Sequence, residues 1–164
     1  MISVARVGTE SAGIIANLCV LYMHDMAEWF LFDTDAEGRY GYDLTAHWQR
    51  GDRFYLARVD DAIAGFAVVG SGAQWLDASS RDVNKFFVVR RYRKAGVGDA
   101  MARAIWAAEP GGWSVRVFEG NVPAVPFWRG AIARFTDGHY REERRFHNTR
   151  QWLFFTFSNA ERNQ

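Results

Sequence analysis

Six residues near the middle of the chain, Arg93-Lys94-Ala95-Gly96-Val97-Gly98, combine two cations with two glycines. That combination suits the holding of phosphate. Glycine has no Cβ, so an oxyanion can approach the backbone at Gly96 and Gly98, while Arg93 and Lys94 supply charge. Upstream, Phe86, Phe87, Val88 and Val89 are aromatic or β-branched and predict a strand, a run too short to span a membrane. Downstream, Ala100, Met101, Ala104 and Ile105 recur at helical spacing through good helix formers and predict a helix that follows the loop. Strand, glycine loop and helix start leave the orphan N–H groups of the first turn, with about half a positive charge of helix dipole, facing the loop. No Gly-x-x-x-x-Gly-Lys-Ser/Thr occurs and the three-glycine dinucleotide fingerprint is incomplete, which sets both of those nucleotide-binding classes aside.

A second stretch with chemistry runs from Tyr22 to Asp43. It carries Asp25, Glu28, Asp33, Asp35, Glu37 and Asp43 against the single Arg39, with Trp29, Phe30, Phe32, Tyr40 and Tyr42 threaded between them. Carboxylates attract ammonium groups and rings hold cations or pack on apolar faces, so one reading is the wall of a site for a cationic ligand. The other is a solvated acidic loop in which Asp33 or Asp35 caps a turn. His24 beside Asp25 offers either a base or a structural histidine. With no second His or Cys at ligand spacing, no metal site is expected.

The elements that must position these residues follow from periodicity. Ile2 to Val7 alternates as a strand, and Ile14, Ile15, Leu18, Leu21 and Tyr22 trace a helix that holds Cys19 as a small buried apolar group. Leu44 to Arg50 predicts a short helix. Phe54 to Val59 and Ile63 to Gly70 predict a hairpin turned at Asp60-Asp61-Ala62, and Ser71 to Ser80 a loop. Arg81 to Lys85 leads into the central strand, where a period of two puts Asp82, Asn84, Phe86 and Val88 on one face and Lys85 and Phe87 on the other. Glu109-Pro110-Gly111-Gly112 stops the next helix, and Trp113 to Glu119 alternates as a strand. A helix around Trp128 ends at a turn over Phe135 to Gly138. Tyr140 to Phe146 and Trp152 to Phe157 form a terminal strand pair, and residues 159–164 a polar tail.

Composition bounds the rest. The 164 residues predict a single domain, long enough to bury roughly two thirds of its unfolded surface. A net charge of +1 exerts no global pull on nucleic acid or membrane, and the Arg141–Arg145 run is interrupted by Glu142 and Glu143. One cysteine precludes an intrachain disulfide and suits a reducing cytoplasm, where the chain, with no leader-like segment or membrane-length apolar run, is expected to work.

Arg93-x-x-Gly96-x-Gly98 between an apolar strand and an alanine-rich helix resembles the acetyl-CoA signature of the GNAT superfamily of N-acetyltransferases. Asn121-Val-Pro-Ala124-Val-Pro-Phe127-Trp128-Arg129 resembles the family's segment in which Asn, Ala and Phe-Tyr follow the fifth strand and open a helix beside the pantetheine arm. Gly65-Phe66-Ala67-Val68-Val69 is similar to a further family strand. The resemblance covers about residues 1 to 157 and is nearest to bacterial members with a His-Asp-rich first helix and a Gly-Tyr-Asp segment.

The resemblance implies a single α/β (α+β) GNAT domain over residues 1–158, with a mixed sheet of six to seven strands flanked by helices, whose central strand splays from its neighbour after Val88 to admit acetyl-CoA. It implies cofactor contacts at Phe87, Val88, Val89, Arg93, Lys94, Ala95, Gly96, Val97, Gly98, Asp99, Asn121, Phe127, Trp128 and Arg129. The backbone N–H of Val88 would polarise the acetyl carbonyl. Asp82 falls where relatives carry a carboxylate base and would act through water, the alternative being a surface Asp beside Arg81. Trp128 replaces the tyrosine that is the usual acid, and an indole N–H is no proton source at neutral pH, so Tyr140 or solvent would substitute. His24, Asp25, Glu28, Trp29, Asp33, Tyr42 and Asp43 would bind the acceptor. A small cationic amine is expected, an aminoglycoside first, then a polyamine. A peptide or protein amine, or a CoA-binding module without turnover, is the alternative. No nucleic-acid or membrane partner is expected, and a homodimer fits the superfamily.

Overall fold

The computed structural model describes residues 1–72 and 75–160. Seven strands form one sheet in the order β1-β2-β3-β4-β5-β7-β6. β1 (Ile2–Val7), β2 (Arg53–Val59), β3 (Ala62–Ser71) and β4 (Arg81–Val88) run as an antiparallel meander. β5 (Gly112–Phe118) lies parallel to β4, and β7 (Arg150–Ser158) joins β5 to the edge strand β6 (Arg141–His147). The β6–β7 hairpin turns on Asn148 and Thr149, both in the left-handed region (φ 48° and 62°), the two-residue turn whose twist matches that of its strands.

Helices cover both faces. α1 (Ala12–Met26) buries Ile15, Leu18, Cys19 and Met23, one helical stripe, against Phe54, Leu56, Phe66, Val68 and Phe87. The five-residue α2 (Thr45–Gln49) lies on the same face, with Trp48 stacked on Phe54 at 3.5 Å between centroids. α3 (Val97–Ala108) and α4 (Ala124–Thr136) cover the other face, where Met101, Ile105, Trp106, Trp128 and Ile132 pack on Tyr55, Val69, Trp113, Val115 and Phe155.

Two expectations change. β4 begins at Arg81, not Phe86, and a bulge at Asn84 breaks its alternation: Val68 faces Lys85 while Val69 faces Val83. Val83, Phe86 and Val88 therefore share the α3/α4 face, while Asp82 joins Lys85 and Phe87 on the α1 face. Asn159, read as the start of a polar tail, is 3% exposed, and its amide binds the Trp106 carbonyl and the Gly111 N–H. Residues 161–164 of that tail lie outside the described residues.

Gly65 faces Val88, and a Cβ there would stand 2.4 Å from the Phe87 carbonyl oxygen. Only glycine lets β3 approach β4 at this point. Gly65→Ala is expected to destabilise the fold by about 1–3 kcal/mol, measured by denaturant titration.

Candidate active site

β4 and β5 pair only at Arg81–Trp113 and Asp82–Ser114 and part beyond. The splay thus starts six residues before Val88 rather than after it. Val89 N–H donates to the Ala64 carbonyl at 2.8 Å, so Gly65 and Val88 form a non-hydrogen-bonded pair, and the N–H and C=O of Val88 turn away from β3 toward the gap. Two residues back, Phe86 turns its backbone the same way.

The gap opens into a cleft of about 330 Å³ lined from β4 by Val83, Asn84 and Phe86 and from β5 by Val115, Arg116, Val117 and Phe118. α1 and the loop after it add Tyr22, Met26, Phe30 and Phe32; the start of α4 adds Asn121, Ala124, Phe127 and Trp128; and β7 adds Trp152. Asn121 accepts a hydrogen bond from the Ala124 N–H at 3.3 Å and so fixes the first turn of α4 at the cleft edge. Trp128 is buried by Phe86 and Trp106, at centroid distances of 4.7 and 6.2 Å, and forms a wall.

The basic loop closes one end. Lys94 (φ 61°) and Gly96 (φ 80°) take left-handed conformations, and Gly96 caps α3. A Cβ on Gly98 would sit 3.0 Å from the Phe127 ring, so this glycine lets α3 and α4 meet beside Val88. Arg93 donates from Nε to the Val88 carbonyl at 2.8 Å and also pairs with Asp25, which takes Arg90 at 2.7 Å. Asp25 is thus the clamp that ties the C-terminus of α1 to the loop. Burial raises its pKa, but the two guanidiniums outweigh that and hold it below the ordinary carboxylate value. Asp99 braces the far side through Arg103 and Arg134, while Arg129 is held by Glu142. Lys94 and Ala95 are exposed.

The predicted catalytic residues are not brought together. Asp82 is 2% exposed, and its oxygens are taken by Ser114 Oγ at 3.0 Å and a bidentate Arg116 at 3.1 and 2.5 Å. It stands at the fork of β4 and β5, as a buried ion pair rather than a surface Asp. Tyr140 lies at the opposite, closed end of the strands, in a cavity with Ser80, Gly112 and Trp113, and is absent from the cleft lining.

The carboxylates of the acidic stretch do not line the cleft either, although Tyr22, Phe30 and Phe32 of the same stretch do. Glu28 and Asp33 are exposed, Asp35 receives Arg39 and two loop N–H groups, and Asp43 caps Thr45. His24 meets the Tyr40 hydroxyl at 3.4 Å, and Trp29 is half-buried. Tyr42 bonds His47 at 3.0 Å, and His47 in turn bonds Asp52 at 2.6 Å. Among the described residues no group of His, Cys, Asp and Glu is placed to hold a metal.

Several residues given no role in the sequence reading prove central. Arg116 sits mid-strand among apolar neighbours, a signal that could have marked it. Lys85 is 7% exposed, its ammonium 3.0 Å from Asn84 Oδ1 and 4.6 Å from the Tyr42 ring centre. Burial brings its pKa down to about 8, aided by Arg116 and Arg50 and opposed by Cys19 and Asp52.

A sequence profile described as the acetyltransferase (GNAT) family matches residues 23–131, and the chain belongs to that family. It is an acetyltransferase with acetyl-CoA as donor. The fold is similar to that of an IAA acetyltransferase from Bacillus cereus (TM-score 0.63, 13% identity, 96% of this chain and 99% of that one). A Bacillus subtilis acetyltransferase in complex with CoA gives 0.63 at 13%, covering 96% and 99%. A ribosomal-protein-alanine N-acetyltransferase from Brucella melitensis gives 0.61 at 15%, covering 95% and 99%. Among curated proteins none matches.

Two outcomes follow from the charges. Asp25→Asn frees Arg90 and Arg93 from their clamp and is expected to weaken CoA binding by roughly tenfold, read by calorimetry, because the loop loses its fixed geometry. For Lys85, the folded pKa near 8 lies below the ordinary ~10.4. Between those values the unfolded chain holds the extra proton, so stability rises with pH across that window and the ammonium costs stability below it. Lys85→Met is expected to raise Tm at pH 7 and to abolish that rise in a pH series of melts.

Proposed function

We propose that the enzyme acetylates a weakly basic amine carried on an aromatic or apolar body. The observation that carries this reading is the cleft lining: eight of its side chains are Phe, Tyr or Trp besides Met26, and no carboxylate is among them. Its one cation, Arg116, is already paired with Asp82. A polycation, expected from the acidic stretch, would leave its charges without partners in such a cleft. Phe30, which contacts Phe32, Phe118 and Trp152 at 5.4 to 6.0 Å between centroids, forms the face on which a ring would stack. An anilinic or similarly weak amine reaches the cleft uncharged. It needs no carboxylate to take an ammonium proton, which fits a site whose one nearby carboxylate, Asp82, is fully hydrogen-bonded.

In this reading the chain's own residues hold acetyl-CoA, whose thioester supplies the acetyl group. The backbone groups of Phe86 and the N–H of Val88 face the gap for an extended arm, while Arg93 holds the Val88 carbonyl. The α3 N-terminus, with Lys94 and Gly96, takes the pyrophosphate. The Val88 N–H is aimed into the gap where the carbonyl oxygen gains charge. The single cysteine, Cys19, is free and buried, which suits a reducing, cytoplasmic setting.

Thiol release should be followed over a panel of arylamines and aromatic-bodied amines, polyamines, aminoglycosides and peptide α-amines. We expect kcat/KM for the aromatic amines to exceed that for polycations by roughly tenfold or more, a difference of about 1.4 kcal/mol in transition-state binding. Phe30→Ala should raise the acceptor KM. Preference for aminoglycosides or polyamines would overturn the reading, and activity confined to peptides would replace it with a protein-acetylating one.

A further inference from the structure

With Trp128 in the wall and Tyr140 at the closed end of the strands, neither residue offers the departing sulfur a proton in the cleft. The lining contains two ionisable side chains, Arg116 and Tyr22. Arg116 is spent on Asp82. Tyr22 is different. It lines the cleft from α1, its ring against Phe66 at 6.1 Å in an edge-to-face contact. Among the described residues its hydroxyl has no hydrogen-bond partner, yet it is not one of the buried polar atoms left unpaired. A phenol deep in an apolar cleft with its hydroxyl open to that cleft is a donor awaiting a partner.

We propose that Tyr22 is the residue that hands a proton to the departing thiolate. As the acceptor nitrogen forms its bond to the acetyl carbon, the C–S bond breaks and its electron pair goes to sulfur. Tyr22 Oη gives its proton to that sulfur, which leaves as the thiol. The phenolate then recovers a proton from the nitrogen that has just become an amide, directly or through water, and no net proton is gained or lost. The surroundings keep the donor loaded. Burial pushes the Tyr22 phenol well above its ordinary pKa, Cys19 and Tyr42 push the same way, and Arg116 opposes them. The arrangement also accounts for a tryptophan at position 128: with the donor supplied from α1, the α4 position is free to serve as an apolar wall.

Two measurements test this. The first does not depend on turnover: the ultraviolet absorbance of the thiolate of bound CoA, titrated with pH against protein bound to desulfo-CoA as the blank, which cancels Cys19. A Tyr22 hydroxyl that donates to sulfur stabilises the thiolate, so Tyr22→Phe is expected to move its titration up by about one pH unit. The second is kinetic: Tyr22→Phe should lower kcat by a hundredfold or more, on the order expected for removing a general acid, with little change in KM for acetyl-CoA. Should the Phe variant fail to fold, 3-fluorotyrosine at position 22, nearly isosteric and more acidic, is expected to shift the thiol titration downward. An unchanged titration in either variant, or a loss confined to KM, would overturn the proposal. The titration reads contact with the sulfur alone, so its outcome is independent of which acceptor the enzyme uses.

Discussion

The structure turns on the fork between β4 and β5. Two parallel strands joined by a helix would ordinarily zip along their length, and here they stop after Asp82 and Ser114. The Asp82–Arg116 pair, with Ser114 Oγ as third partner, sits at that stopping point and is nearly inaccessible to solvent. A buried pair of this kind adds little net stability compared with apolar packing, but removing one partner strands the other charge, so it fixes geometry. Here it pins the strands at one end while their backbones diverge at the other. Bulging β4 at Asn84 then rotates Phe86 and Val88 so that their side chains join the α3/α4 core while their backbone groups face the opening.

Charge in the loop is organised around the same fork. Arg93 reaches back to the Val88 carbonyl and, with Arg90, to Asp25 at the end of α1. A loop rich in arginine would repel itself if its charges were left free. One carboxylate, delivered from a helix far away in sequence, restrains two of them and couples the basic loop to the helix whose neighbouring turn carries Tyr22.

The cleft itself is aromatic and nearly neutral, while the ionisable groups are set one layer behind it. Lys85, Tyr42, His47, Asp52 and Cys19 lie under α1 and α2, where burial depresses the pKa of both His47 and Lys85. The Lys85 ammonium is held by Asn84, which does line the cleft, so this costly buried cation also orients a residue at the bulge.

The sequence by itself determined the order and type of nearly every element, because helical and strand periodicities report directly on which side of each element is buried. It also determined the glycine loop between β4 and α3, since Gly96 and Gly98 meet local demands, a left-handed cap and a close helix approach, that a glycine satisfies wherever it occurs. The family followed from that loop and the Asn121 segment. What only the tertiary structure decided was the use of the charged and polar side chains. Asp25 reads as one more carboxylate in an acidic stretch, and nothing local shows that its partners lie at Arg90 and Arg93. Asp82 reads as exposed until Arg116 arrives from the neighbouring strand. Tyr140 stands close to α4 in sequence but at the wrong end of the sheet. The bulge at Asn84 inverts the facing of Asp82 relative to Phe86, and a bulge is set by pairing with β3, not by the strand's own residues. Apolar burial is written in periodicity, whereas a polar partner is chosen by long-range register, and register exists only once the strands have met.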